Sequence, residues 1–277
     1  MIRLYVWTEG GSRAILQRKP LVKQLIDGHD IAVAWGCRKE HKYLIEDIPV
    51  KQIIIDSPEG EPLNGSSYCP RECTPLSLDT ESEEGTYPQD WRQLVDSFNH
   101  RAESAGLDLS VKGNLAPTVQ FKYRDVVIRD DAIFLEIIDE KSPVATAIDL
   151  RLIFETFRGL NFYCATPIGF SAHNLIDCSD LDLVTLASIS NNCSAIIGTG
   201  GSAFTCSLTE TNRFKPRALL AEAPPVGTPW GDYKNNPLRI VSRRDELVRF
   251  LVEVEKSYII PIRHGRHSGW QPTADTA

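Results

Sequence analysis

Short apolar runs alternate with longer helical segments along most of this 277-residue chain. The apolar runs are Ile2–Trp7, Ile31–Trp35, Lys51–Asp56, Ala132–Ile138, Leu160–Ala165, Ser194–Ile197 and Arg217–Glu222. Runs of this length and composition predict buried strands, and the segments between them predict crossover helices. The alternation therefore predicts an α/β protein with parallel sheets.

The segments between the strands have the periodicity of helices with one apolar face. They are Arg13–Asp27, a shorter helix over Glu40–Glu46, Asp90–Ala105, Asp149–Arg158, Leu181–Ser190 and Asp245–Lys256. Pro20 is expected to kink or restart the first helix, and Gly28 to end it. Ser179 and Asp182 have the spacing of a capping box at the start of Leu181–Ser190.

An irregular region divides the chain into two alternating halves. Residues 57–89 are rich in Pro and acidic residues, and Arg71 is their only basic residue, so no helix or strand is predicted there. We expect two doubly wound domains facing across a cleft: an N-terminal domain over 1–125 and a C-terminal domain over 126–262. The polar tail over 263–277 is expected to be flexible. Ligands of such folds bind beyond the carboxyl ends of the strands. A stretch as long as 57–89 without a predicted element is typical of a lid, a binding loop or a disordered insertion.

Composition narrows the possible partners. The formal net charge of −7 and the absence of a basic run argue against a nucleic-acid partner. No segment approaches the roughly 18 apolar residues of a membrane span, and the apolar run Ile2–Trp7 is too short for a signal peptide. Seven scattered cysteines suit a reducing cytosol better than a disulfide framework. We therefore predict a cytoplasmic protein without a membrane span.

The strongest local motif is Gly198–Ala203, with the sequence GTGGSA, between a predicted strand and a predicted helix. Small residues let the backbone approach a ligand, and the amide groups at a helix start favour an anion such as phosphate. The motif also fits the dinucleotide pattern G-x-G-x-x-A, and Glu222 lies near the expected ribose-binding position. An NAD(P)-dependent oxidoreductase is therefore one alternative, although the motif follows the third predicted strand of its half and not the first. A non-catalytic nucleotide-binding protein is another.

The loop after the first strand is a second candidate site. Gly10 and Gly11 precede the first helix, and Glu9 is expected to be the only carboxylate at that edge of the sheet. A general base that takes a proton from an acceptor hydroxyl would fit there. An exposed loop glutamate that is merely solvated is the alternative.

Two further strand ends complete the candidate site. Lys141 and Ser142 could hold a diphosphate by charge and hydroxyl, and Thr166 could line a nucleoside pocket. A metal site is not predicted, because Cys69 and Cys73 have no second pair of ligands placed to close a tetrahedron.

The stretch Asp180–Phe204 resembles the C-terminal domain of glycosyltransferases with two facing Rossmann-like domains, the GT-B fold, and among them the ADP-heptose:lipopolysaccharide heptosyltransferases. In that family, a helix with a Leu-Ala pair leads through a strand to a small-residue turn that holds the diphosphate of the sugar nucleotide. The resemblance implies this role for Gly198, Thr199, Gly200, Gly201 and Ser202. It extends over Ala132–Glu222 and is only architectural before that, and Phe204 lies near the position where the family commonly has a histidine.

The resemblance also implies an activity. It suggests a hexosyl- or heptosyl-type glycosyltransferase that moves a sugar from a nucleotide-diphosphate donor to a glycan or another hydroxyl acceptor, without a metal or other cofactor. The catalytic base would come from the opposite domain, with Glu9 as the candidate.

Overall fold

A computed structural model describes residues 2–8, 10–56, 65–79, 91–112, 118–129, 131–137, 143–222 and 236–259. Glu9, Lys141, Ser142, the tail 263–277 and much of the irregular region lie outside the described residues. The described chain forms two separate parallel sheets. We refer to the first sheet and its helices, residues 2–104, as the N-terminal lobe, and to the second, residues 132–259, as the C-terminal lobe.

The N-terminal sheet has four strands in the order β3-β2-β1-β4. Its elements are β1 (Ile2–Trp7), α1 (Ser12–Gly28), β2 (Ile31–Arg38), β3 (Lys51–Ile55), β4 (Thr74–Ser77) and α2 (Trp91–Ser104), with 3₁₀ turns over Lys39–Leu44 and Gly65–Tyr68. The residues of β1 alternate between two faces, as in any strand. Leu4 and Val6 join the apolar cluster that includes α1 and α2, whereas Tyr5 and Trp7 join a smaller cluster on the other face.

The C-terminal sheet has six strands in the order β10-β9-β8-β5-β6-β7. Its strands are β5 (Ala132–Glu136), β6 (Asn161–Cys164), β7 (Leu175–Asp177), β8 (Ala195–Gly198), β9 (Arg217–Leu220) and β10 (Arg239–Val241). Its helices are α3 (Pro143–Ile148), α4 (Leu150–Thr156), α5 (Leu183–Ser190), α6 (Ser202–Cys206) and α7 (Arg244–Val254), with 3₁₀ and π-helical turns over Thr211–Phe214 and Glu255–Ile259. The chain reverses its direction of winding between β5 and β8, which is where doubly wound sheets bind ligands.

Helices cover both faces of the C-terminal sheet. Phe134 of β5 packs in the same cluster as α5 and α6, while its neighbours Ile133 and Leu135 pack in the cluster of α4 and α7. A strand that is buried on both faces has no polar face to alternate with its apolar one. This explains why β5 appears in the sequence as an almost continuous apolar run.

One apolar cluster joins the two lobes. It contains Leu4 and Ile15 from the N-terminal lobe together with Phe134 and Phe204 from the C-terminal lobe, and α1 packs directly against α6. The segment 118–129 crosses between the lobes and is fixed to the C-terminal lobe by a 2.8 Å hydrogen bond from the amide of Val119 to the carbonyl of Leu208. The lobes therefore share a core.

Two expectations about local structure are wrong: that the irregular region lacks a strand, and that a capping box begins α5. The irregular region contains β4, which pairs in parallel with β1 at the edge of its sheet, and Pro75 lies opposite Tyr5. An edge strand tolerates proline because one of its sides needs no hydrogen-bond donor. Of the two effects expected of Pro20, a restart does not occur, because α1 is one helix over Ser12–Gly28.

The capping residue of α5 is Asp182 alone. Its carboxylate accepts hydrogen bonds from the amides of Val184 and Thr185, both at 3.0 Å. Ser179 lies outside the helix, where its amide donates to Asp177. The predicted capping box is therefore replaced by a single N-cap.

Candidate functional site

A cavity of about 570 Å³ lies between the two lobes. The N-terminal wall includes Gly10, Gly11 and Arg13, and the C-terminal wall includes Thr166, Gly201 and Ser202. These residues follow the carboxyl ends of β1, β6 and β8. The structure therefore brings together one predicted loop from each half of the chain, as expected for a ligand site between facing sheets.

The N-terminal wall is the turn from β1 into α1. Gly11 is the N-cap of α1 and makes no side-chain capping hydrogen bond, and the first turn of the helix has no acidic residue. Gly10 needs to be glycine, because a Cβ there would lie 2.3 Å from the Cβ of Ala14. Amide groups and the basic side chain of Arg13 make this wall electropositive.

Arg18 adds a buried positive charge behind this wall. Its side chain is 1% exposed and lies 3.7 Å from the carboxylate of Asp79. Its Nε donates to the carbonyl of Leu78 at 3.2 Å, and one of its Nη atoms lies within hydrogen-bond distance of Gln17. Burial at this level requires partners for a guanidinium, and these contacts provide them.

Asp79 is a carboxylate near this wall that the sequence analysis did not place, although it is not among the residues that line the cavity. It follows β4, which lies next to β1, and its carboxylate accepts a short hydrogen bond from the hydroxyl of Thr8. The hydroxyl of Ser77 donates to the same carboxylate at 3.2 Å. The expectation that Glu9 is the only carboxylate at this strand edge is therefore wrong. The residue could not be placed because no strand was predicted before it.

The C-terminal wall is the turn from β8 into α6. Gly200 has a φ of 93°, a left-handed conformation that favours glycine. Gly198 is covered by the ring of Phe204, and a Cβ at Gly198 would lie 2.4 Å from that ring. Phe204 itself is fully buried. Gly200 thus allows the tight backbone turn, and Gly198 allows the ring of Phe204 to pack closely against the strand.

A carboxylate from the neighbouring strand accepts hydrogen bonds from the backbone amides of this turn. Glu136, the last residue of β5, is 1% exposed. Its Oε2 accepts from the amide of Gly201 at 2.8 Å, and its Oε1 accepts from the amide of Phe204 at 3.1 Å. Burial raises the pKa of the Glu136 carboxyl, and hydrogen bonds from Gly201 and Phe204 oppose that rise.

This contact involves one of the amides that we expected to be open to a diphosphate. The amide of Gly201, and that of Phe204 just beyond the predicted turn Gly198–Ser202, bind an anion that the chain itself supplies. The amide of Thr199 donates to the backbone carbonyl of Glu136 at 3.2 Å. The sequence indicated that Glu136 is unusual, because a single acid inside the apolar run Ala132–Ile138 requires a buried partner.

Thr166 lines the cavity, and its hydroxyl oxygen also accepts from the amide of Ile137 at 2.9 Å. The structure gives no support to the oxidoreductase alternative. The GTGGSA motif follows β8, which is the fourth strand of its sheet because β7 had not been predicted. Glu222 is exposed and is not among the residues that line the cavity.

Among the residues that the structure describes, no group of three or more His, Cys, Asp and Glu side chains could hold a metal ion. Cys69 and Cys73 are half-buried, and the thiol of Cys69 lies 3.4 Å from the carbonyl of Cys73. Within the described ranges, no helix is both long and apolar enough to cross a bilayer.

Comparison with solved structures identifies the fold as that of GT-B glycosyltransferases, which confirms the predicted fold class. The chain is similar to a glycosyl transferase family 9 structure from Veillonella parvula DSM 2008, with a TM-score of 0.54, 11% identity, and coverage of 93% of this chain and 92% of that chain. It is also similar to the E. coli heptosyltransferase WaaC with ADP, with a TM-score of 0.52, 10% identity, and coverage of 92% and 98%.

Other comparisons set the limits of this likeness. The chain spans just over half, 56%, of the length of the iron-containing heptosyltransferase TibC, with 14% identity and a TM-score of 0.49. No protein-family model matches the chain, and no curated protein matches its sequence.

Proposed function

We propose that this protein is a metal-independent glycosyltransferase that moves a sugar from a nucleotide-diphosphate donor to a glycan or another hydroxyl acceptor. The observation that carries the proposal is the cavity between two lobes of GT-B fold, at the carboxyl ends of strands from both sheets. Two similar solved structures contain E. coli WaaC with ADP and with ADP-2-deoxy-2-fluoro heptose. A nucleoside diphosphate is therefore the first ligand to test.

Positive charge for the leaving diphosphate would come from the N-terminal wall. Arg13 contributes a guanidinium group there, and the N-cap of α1 is Gly11, which offers no side chain to the first amides of the helix. Such fixed charges stabilise the charge that develops on the leaving group. The mechanism proposed here uses these groups in place of a metal ion.

The remaining predicted residues keep proposed roles. We assign the catalytic base to Glu9. Lys141 and Ser142, which follow β5, are proposed to contact the donor. Thr166 and the turn Gly198–Ser202 would shape the wall against the nucleoside and sugar. All seven cysteines are free, which supports the proposed cytoplasmic location.

The test uses two variants of the N-cap of α1. A side chain at Gly11 meets no atom within 4 Å, so Gly11→Asp and Gly11→Asn should both fold. Asp and Asn are about equally good N-caps, but only Asp adds a negative charge to the cavity. We expect calorimetry to show a nucleoside diphosphate binding to wild type and to Gly11→Asn, with at least about tenfold weaker binding to Gly11→Asp, which corresponds to about 1.4 kcal/mol.

Binding and turnover separate the alternatives. Release of nucleoside diphosphate from a nucleotide sugar in the presence of acceptor, lost in Glu9→Gln, would support the transferase. Binding without release under any acceptor would favour the non-catalytic nucleotide-binding alternative. If no nucleoside diphosphate binds to the wild-type protein, the proposed function is wrong.

A further inference from the structure

We propose that Glu136 is a specificity-determining residue, whose carboxylate fills the turn Gly198–Ser202 and keeps the phosphate groups of a ligand away from the C-terminal wall of the cavity. The inference rests on the proposed function only for the kind of ligand. The contact itself, in which a carboxylate of the chain occupies a position that an anion could take, involves only residues of this chain.

The geometry leaves little room for a second anion at the turn. Glu136 and Gly198 are register partners on neighbouring strands, so the Glu136 side chain starts beside the turn that it contacts. Its carboxylate oxygens accept amide hydrogens from Gly201 and Phe204. The amides of Gly200 and Ala203 also hydrogen-bond to the carboxylate, and the residue is 1% exposed. A phosphate that used these amides would have to displace a covalently tethered carboxylate.

Charge opposes a phosphate at this position as well. Glu136 lines the cavity, and so do Gly201 and Ser202 of the turn. A phosphate brought against this wall would lie within a few ångströms of a carboxylate in a poorly solvated region, where like charges repel more strongly than in water. The amides that would compensate the phosphate are already bound to the carboxylate.

The opposite wall of the cavity is left for the phosphate groups of a ligand. It carries the basic side chain of Arg13 beside the start of α1.

The experiment removes the carboxylate and offers a small one in solution. In Glu136→Ala, formate should bind in the emptied position, shift the ¹⁵N–¹H signals of Gly201 and Phe204, and raise Tm by about 3–6 °C at saturation. Pyrophosphate should shift the same two signals in this variant. In the wild-type protein, neither anion should move them, while pyrophosphate should shift the signals of Ser12 and Arg13.

Glu136→Gln is the matched control. Its side chain has the same shape, so formate should still be excluded, but a neutral acceptor bonds more weakly than an ionised one. The amide protons of Gly201 and Phe204 should therefore move upfield relative to the wild-type protein. If Glu136→Ala does not fold, the amide proton shifts in Glu136→Gln still test whether the carboxylate binds these two amides.

Two results would overturn the inference. One is a pyrophosphate-induced shift of the Gly201 and Phe204 signals in the wild-type protein. The other is an equal response of wild type and Glu136→Ala to formate. Failure of the proposed function is recognised separately, because it would appear as a lack of nucleoside diphosphate binding to wild type, while the formate experiment needs no nucleotide.

Discussion

The two turns that face each other across the cavity have almost the same backbone and different surroundings. Gly11 at the start of α1 has φ −74° and ψ −160°, and Gly201 at the start of α6 has φ −77° and ψ −164°. Both N-caps are glycines, which have no side chain to cap the helix, and both line the cavity. The difference is that at α6 the Glu136 carboxylate from the adjacent strand accepts hydrogen bonds from the amides of Gly201 and Phe204.

A glycine-rich turn between a strand and a helix is therefore not sufficient evidence for an anion site. The residue that ends the neighbouring strand also matters, because an acidic side chain there can bind the amides of the turn in place of a ligand. Four substitutions or conditions should test how far the turn at α6, which the Glu136 carboxylate occupies, differs from the turn at α1.

The largest effect is expected from Phe204→Ala, which removes the ring beneath Gly198. The ring is fully buried in the cluster shared by both lobes, and truncating such a phenylalanine costs about 3–5 kcal/mol. Urea denaturation would measure this loss. Phe204→Leu, which keeps most of the volume, should cost about 1.5 kcal/mol or less. A loss below about 1 kcal/mol for the alanine variant would mean that the turn at α6 is not tightly packed.

Gly200→Ala should have the next largest effect. Its φ of 93° is a conformation that residues with a Cβ adopt only with strain of about 1–3 kcal/mol. Gly11→Ala is the control, since its φ is −74° and its Cβ would meet no atom within 4 Å. We expect the free energy of unfolding to fall in the first variant and to change little in the second. Equal losses would remove the contrast between the two turns.

Alkaline pH should destabilise the protein through the thiols of the C-terminal lobe. Four of the five buried cysteines lie there: Cys164, Cys178, Cys193 and Cys206. Burial raises the pKa of Cys193 from 9.0 to about 12. The unfolded thiol therefore ionises first, and stability that is fully present below pH 9 is lost as the pH rises toward 12.

For Cys193 alone this loss is about 1 kcal/mol at pH 10. Burial lowers the pKa of Lys215 to about 8, which acts in the opposite sense between that pH and 10.5. The contribution of Cys193 is isolated by comparing wild type with Cys193→Ala at pH 8 and at pH 10. The difference in stability between the two proteins should shrink by about 1 kcal/mol, and an unchanged difference would argue against burial of the thiol.

The smallest effect is expected from Gly11→Asn. Asparagine is a better N-cap than glycine by a few tenths of a kcal/mol, so α1 should become slightly more stable. Thermal unfolding of the wild-type and variant proteins would detect the change. A loss of stability would show that the start of α1 is already occupied and is as closed as the turn at α6.

Much of the fold could be predicted because parallel strands buried on both faces appear as uninterrupted apolar runs. β1, β5 and β8 were predicted to within one or two residues of their observed ends. β7 and β10 were missed because each has only three residues. β4 was missed because Pro75 and its acidic surroundings suggest a loop. The strand forms because it pairs with β1, although its own residues have a low propensity for strands.

The candidate site was predictable only in part. The turns at Gly10 and Gly198 follow from local sequence, because glycines between a strand and a helix have a clear pattern. Glu136 and Asp79 depend on which strands are neighbours, and strand order is a tertiary property. Glu136 lies four residues into an apolar run, so its position in the sequence marks it as unusual but does not identify its partner.

The apolar cluster that runs through both lobes has a consequence for dissection of the chain. A fragment that ends after α2 would expose the sides of Leu4 and Ile15 that the cluster buries together with Phe204. Separate expression of either half should therefore give an aggregating product, and calorimetry of the intact chain should show one melting peak instead of two.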